Sequence, residues 1–249
     1  MRRITAARAR LRKAGDAPRM RGTFADVASA LRARGLTPRG AFHPEPCDAV
    51  PPLPDGRSTA TLVLAGNAGS GMWEAFERAR PAGADPLDRW SAAVLGEVAA
   101  AFGAAALLAS APRHPFQRWA QRAEPVHPSP LGILIHPDHG LWHAYRGALV
   151  FAERLALPAP DHRPSPCDRC ADRPCLRACP VGAFTAPGFD AAACGAHAAS
   201  QKGVECRERG CLARRACPVG GDQRYPDAQQ RFHMDAFLAA RRLGGKSTA

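Results

Sequence analysis

Eight of the chain's nine cysteines fall in its last third, and two of them precede proline. Cys167-Asp-Arg-Cys170, Cys175 and Cys179-Pro180 form a first group; Cys194, Cys206, Cys211 and Cys217-Pro218 form a second. Thiolates are soft ligands that suit zinc or iron–sulfur centres. Eight of them match the needs of two four-iron clusters, and a closing Cys-Pro sends the fourth thiolate to the other cluster. On that crossed pattern Cys167, Cys170, Cys175 and Cys217 hold one cluster, and Cys179, Cys194, Cys206 and Cys211 hold the second. The spacing leaves the pairing open. Four residues separate Cys170 from Cys175, and the second group has gaps of eleven, four and five. Structural zinc is the competing use of thiolate sets, although it gives no reason for the two Cys-Pro endings. The chemistry expected is electron transfer.

An odd cysteine count is a poor disulfide framework, and thiolates awaiting iron need a reducing compartment, so a cytoplasmic protein is expected. The most apolar run, Ala92 to Ala109, is broken by Glu97 and two glycines and is too short for a bilayer. No apolar segment follows the basic N-terminus, so no secretion signal is read there. The net charge of +12 raises a nucleic-acid reading. Residues 1–19, however, hold seven basic residues and one acid, which is half of that charge. All but three of the 34 basic residues are arginine, a compositional bias. Solvated surface is the expected role, with neither nucleic acid nor membrane as partner. Between Cys167 and Cys217, eight basic and five acidic residues leave +3, which would favour a reduced cluster and an acidic electron donor.

Hydrophobic periodicity supplies the elements that must position this chemistry. Residues 22–35 read as a short helix ended by Gly35. Thr61–Ala65 reads as a buried strand running into a glycine-rich turn, Gly66–Gly71, with a helix carrying Trp73, Phe76 and Ala79 after it. That turn could hold an anion, or be a tight turn only. Asp85-Pro86 caps a further helix in which Leu87, Trp90, Val94, Leu95, Val98 and Phe102 share a face. Ala104–Ala109, Leu131–Ile135 and Ala148–Phe151 read as strands. Cys47 reads as a small buried residue. The division expected is a disordered basic N-terminus (1–21), an α+β body (22–156), a proline-rich linker (157–166), a cluster module (167–225) and a last helix with its tail (226–249).

The segment Leu134-Ile-His136-Pro-Asp-His139-Gly140-Leu-Trp142-His-Ala-Tyr-Arg146-Gly147 resembles the His-Pro, Gly-x-Trp and Arg-Gly signature of cobalamin-processing proteins. These are the decyanating and dealkylating B12 chaperones defective in methylmalonic aciduria of the C type. Asp85-Pro86-Leu-Asp88 and Arg113-His114-Pro115 fall in matching order, so the resemblance covers roughly residues 22–155. A cluster module after such a body is similar to epoxyqueuosine reductase and to the corrinoid reductive dehalogenases, in which an iron–sulfur pair reduces bound cobalt. The Gly-x-Gly-Trp-x-Gly-Lys-Asn segment of epoxyqueuosine reductases is absent from the sequence.

The resemblance implies a nitroreductase-like or flavin-reductase-like α+β sandwich followed by a small bacterial ferredoxin-like module with two [4Fe-4S] clusters. It implies cobalamin as a second cofactor, with His114, His136, Gly140, Trp142, Arg146 and Gly147 at or near the corrinoid. The function implied is reduction of the cobalt, with a flavodoxin, ferredoxin or reductase as low-potential donor. A plain electron carrier without corrinoid, and an epoxyqueuosine-reductase-like enzyme acting on tRNA, are the alternatives. Arg146 could instead pair with a local carboxylate, Trp142 could be core, and His114 could be a satisfied loop histidine. His136, His139 and His143 also have the spacing of metal ligands.

Overall fold

The computed structural model describes residues 22–111, 113–186 and 188–244; the N-terminus expected to be disordered lies outside them. Helix α1 (Phe24–Ala33) starts from a capping box in which Thr23 and Asp26 bond each other's backbone N–H, an arrangement worth about 1 kcal/mol. Strand β1 (Thr37–Phe42) follows, then β2 (Thr61–Ala68), α2 (Gly71–Arg78), α3 (Pro86–Phe102), β3 (Ala105–Leu108) and α4 (Phe116–Ala123). The short pair β4 (His127–Pro128) and β5 (Leu134–Ile135) leads into the long β6 (His143–Phe151).

The main sheet runs β1-β2-β6-β3, every neighbour antiparallel. Its side chains alternate between two cores, as a period of two requires. Val63, Ala65, Leu149 and Phe151 face α1, α2 and α3, whose Leu31, Phe76, Trp90 and Leu95 fill that side. Leu62, Leu64, Ala148 and Val150 face the other way, onto Phe116, Trp119 and Ala120 of α4. Helices therefore cover both faces of the sheet, and the body mixes α and β as expected.

Several local expectations shift. The strand read as Thr61–Ala65 continues to Ala68, so Gly66 lies inside it at a bulge; a Cβ there would fall 1.9 Å from the Ala144 carbonyl oxygen. Only Gly69 and Ser70 form the turn. Helix α2 stops at Arg78 and leaves Ala79 exposed. Asp85 precedes α3 in a left-handed conformation, and its side chain makes no cap bond. Leu131–Ile135 shrinks to two paired residues because Gly132 turns the chain, held by Ser129 and Ile133. Residues 143–147, expected in a connection, open β6.

After the linker come α5 (Pro174–Arg177), a hairpin of β7 (Phe184–Thr185) and β8 (Gly188–Phe189), α6 (Ala191–Ala199), α7 (Val204–Arg209), α8 (Leu212–Arg215) and α9 (Asp227–Gly244). Helix α9 sets Phe232 against Trp73 and Phe76 of α2, with ring centroids 5.3 and 5.6 Å apart, and Phe237 against Phe189 at 6.2 Å. No described helix is long and apolar enough to cross a membrane.

Candidate functional site

Among the described residues every cysteine is free. The thiols of the last third sort by mutual electrostatic contact into two sets. Cys167, Cys175 and Cys217 feel one another and Cys170. Cys194, Cys206 and Cys211 feel one another and Cys179. The cysteine of each Cys-Pro thus stands with the other group. Cys175, Cys194 and Cys206 sit on α5, α6 and α7. These helices are only four to nine residues long, so each can turn one thiol inward.

Burial raises the thiol pKa of Cys167, Cys175, Cys206, Cys211 and Cys217, and neighbouring thiols add to it. Burial, then Cys211, Cys179 and Cys206, push Cys194 up to about 11. A metal binding here must displace protons. The backbone N–H groups of Leu176, Leu212 and Val219 work against that rise at Cys175, Cys206 and Cys217. Ala183 N lies 3.3 Å from the Cys179 sulfur. Among the described residues no group of three or more His, Cys, Asp or Glu converges closely enough to hold one metal ion. The second set lines an apolar cavity of about 430 Å³ with Leu131, Ile133 and Phe237.

Beside it lies a cleft of about 410 Å³, walled by His143, Tyr145 and Arg146 of β6 and by Arg214, Tyr225 and His233. Ile133 and Arg214 line both spaces. Behind Tyr145 is a buried polar cluster. Arg39, only 1% exposed, grips Glu124 with Nε and Nη2 at 3.0 and 2.8 Å and donates through Nη1 to the Asn67 carbonyl. The Tyr145 hydroxyl donates to Glu124 as well. Asn67 donates to the Tyr225 hydroxyl at 2.6 Å, joining body to module.

The histidines around the cleft are held neutral. Burial lowers His143 to about 2 and His233 to about 4. His143 Nε2 lies 3.0 Å from the Leu134 carbonyl, which makes it the protonated nitrogen, and Nδ1 has no partner among the described residues.

No known family matches the sequence, and no curated protein does. Among solved structures the chain is similar to an epoxyqueuosine reductase from Streptococcus thermophilus at 13% identity and a TM-score of 0.49, over 81% of this chain and 67% of that one. It is similar also to an epoxyqueuosine reductase solved with an epoxyqueuosine-modified tRNA-Tyr stem loop, at 13% identity and a TM-score of 0.47, over 82% and 66%. The chain spans about two thirds of the length of these proteins.

Of the six residues expected around a corrinoid, one lines the cleft: Arg146, which bonds Ser91 Oγ at 3.2 Å and is ion-paired with Asp88. The local carboxylate weighed for it is there. The others meet the protein itself. Trp142 is 1% exposed, between Tyr225 and the Arg214 guanidinium. His136 is buried; its Nδ1 accepts from the Asp138 and His139 backbone, and its pKa is lowered to about 4 by burial. A Cβ on Gly147 would fall 2.5 Å from the Leu107 carbonyl oxygen, and one on Gly140 1.9 Å from that of Val219. His114 lies tilted against Trp119, ring centroids 5.6 Å apart, and its Nε2 has no partner among the described residues. His136 stacks on His139 and meets His143 edge-on at 6.1 Å. Cys47 is exposed rather than buried, because the turn Pro46–Asp48 sends Asp48 inward instead. Sequence reasoning missed Arg39, Glu124, Tyr145, Tyr225 and His233. No local pattern marks them, since each acquires its partners across the fold.

Proposed function

We propose that the chain is an iron–sulfur oxidoreductase whose last third holds two four-iron clusters and whose cleft receives the group to be reduced. One observation carries the reading: eight free thiols in two crossed sets of four. Cys167, Cys170, Cys175 and Cys217 would hold one cluster, and Cys179, Cys194, Cys206 and Cys211 the other. The donors are all sulfur, and Cys179 already accepts an N–H bond. When bound, such clusters supply one-electron steps at potentials tuned by hydrogen bonds, charge and burial. The chain's own residues supply the rest. Ile133 and Arg214 separate the second set from the cleft, Arg214 favours an anionic ligand, and the neutral histidines offer acceptors. A cluster oxidised by giving an electron to the ligand would be re-reduced by an external one-electron donor protein, a flavodoxin or ferredoxin.

Anaerobic reconstitution tests this. The expected product is brown, with about eight iron and eight sulfide per chain; colourless material that takes up zinc in place of iron overturns it.

The acceptor is the finer part of the proposal. Of the six residues expected around a corrinoid only Arg146 lines the cleft, so no step is assigned through cobalt. An epoxyqueuosine-reductase-like action on tRNA is favoured by Arg214, a cation on the cleft wall without a carboxylate partner among the described residues. Affinity for tRNA that falls steeply with salt is the expected sign, and salt-independent or undetectable binding retires this reading. Titration with cob(II)alamin tests the nitroreductase-like, corrinoid-holding body: a base-off spectrum restores it, an unchanged one dismisses it.

A further inference from the structure

We infer that Arg214 is the electrostatic link between the second cysteine set and the cleft, and that its charge selects the cluster that hands electrons on. The inference rests on the iron–sulfur reading above.

Arg214 lies on α8, three residues from Cys211 of the second set and three from Cys217 of the first. Its side chain leaves the module. Nε and Nη2 both donate to the Leu141 carbonyl, Nε at 3.0 Å. The guanidinium lies 4.5 Å from the centroid of the Trp142 ring and 4.7 Å from that of Tyr225. It forms part of the wall of both the second set's cavity and the cleft.

Three neighbouring arginines are neutralised: Arg215 pairs with Glu205 at 2.9 Å, Arg207 with Glu208 at 3.3 Å, and Arg209 with Asp227 at 3.3 Å. Arg214 has no such pair, and it is the arginine that lines both spaces. Among the described residues no carboxylate reaches Arg214. Its partners are a carbonyl and two π faces, which leave its charge in place. After burial, that charge is the largest influence holding His233 neutral, so its field already reaches across the cleft. A cluster becomes more negative by one on reduction. An unneutralised cation beside it, in low dielectric, stabilises the reduced form. The second set, sharing a wall with Arg214, is therefore the one whose reduced state is favoured next to the acceptor. A plain docking role, the clamp on Leu141, would hold the module in place without altering any potential.

The test is a potentiometric titration of the anaerobic holoprotein followed by electron paramagnetic resonance. In Arg214→Met one of the two midpoint potentials should move to more negative values at unchanged iron content. The signal that moves should be the one lost in Cys194→Ser. Arg214→Lys, which keeps the charge but not the two-pronged bond, should stay near the parent. If Arg214→Met does not retain iron, Arg214→Gln, which keeps a donor for Leu141 but no charge, gives the same reading. Potentials unchanged at full iron content, or both moving together, overturn the inference and leave the iron–sulfur reading standing. A parent chain without iron overturns both.

Discussion

Gly140 and Gly220 face each other backbone to backbone. A Cβ on Gly140 would fall 1.9 Å from the Val219 carbonyl oxygen, and one on Gly220 2.4 Å from the His139 carbonyl carbon. Both have positive φ, 55° and 68°. The pair seats the Cys217–Gly220 turn on the hairpin His136–Gly140, which is closed by two backbone bonds of 2.9 Å. The close approach that Gly140 permits is thus made by the chain that carries a cluster ligand. Gly140→Ala should displace Cys217 and lower iron from about eight to about four per chain. Gly56→Ala, also at positive φ but with open space around it, is the control for strain alone and should keep full iron.

Double substitutions decide the pairing of the thiols. In the crossed arrangement Cys179 and Cys194 serve one cluster, so Cys179→Ala with Cys194→Ala should retain about half the iron. Cys175→Ala with Cys179→Ala strikes both clusters and should retain almost none. A sequential arrangement, Cys167 to Cys179 and Cys194 to Cys217, predicts the opposite of each result. Iron analysis of the two proteins separates the cases.

The Arg39–Glu124 pair lies where removing one partner strands the other. Arg39 is 1% exposed, and Glu124 also takes the Tyr145 hydroxyl. Arg39→Met should cost about 3–5 kcal/mol, the range for breaking a buried pair. Urea unfolding measures it, and a loss under 1 kcal/mol would mean that water reaches Glu124.

Local pattern was enough for the elements whose own residues decide them. The helical stretch closed by Gly35 announces α1, six apolar residues at helical spacing announce α3, and the last helix read within 226–249 is α9. Strand β1 escaped notice because Pro38 and Gly40 read as breakers. Its place is set by pairing with β2 around a bulge between Pro38 and Ala41. Helix α4 is only eight residues long, and its burial of Phe116, Trp119 and Ala120 depends on the far face of the sheet. The thiols were legible because residue type alone nominates them. The cleft was not, since Arg146, Arg214 and His233 meet only after the module folds back on β6. The glycines showed where backbone could come close, but not whose.

Acid should unfold this protein through its histidines. Burial holds His143 at about 2 and His136 and His233 at about 4 in the folded chain, against about 6.5 when unfolded. Between these values the unfolded chain binds protons that the folded chain refuses, so stability falls as pH drops from about 6.5 toward 4. Each such histidine adds up to about 1.4 kcal/mol per pH unit to that slope. His233 meets the rings of Tyr225 and Phe232, so His233→Phe can take its place with little rearrangement. The variant should lose one histidine's share of the slope between pH 6 and 4.5, measured by urea unfolding beside the parent. Equal slopes would show that His233 already accepts a proton in the folded chain, and that the cleft carries more positive charge than its neutral histidines imply.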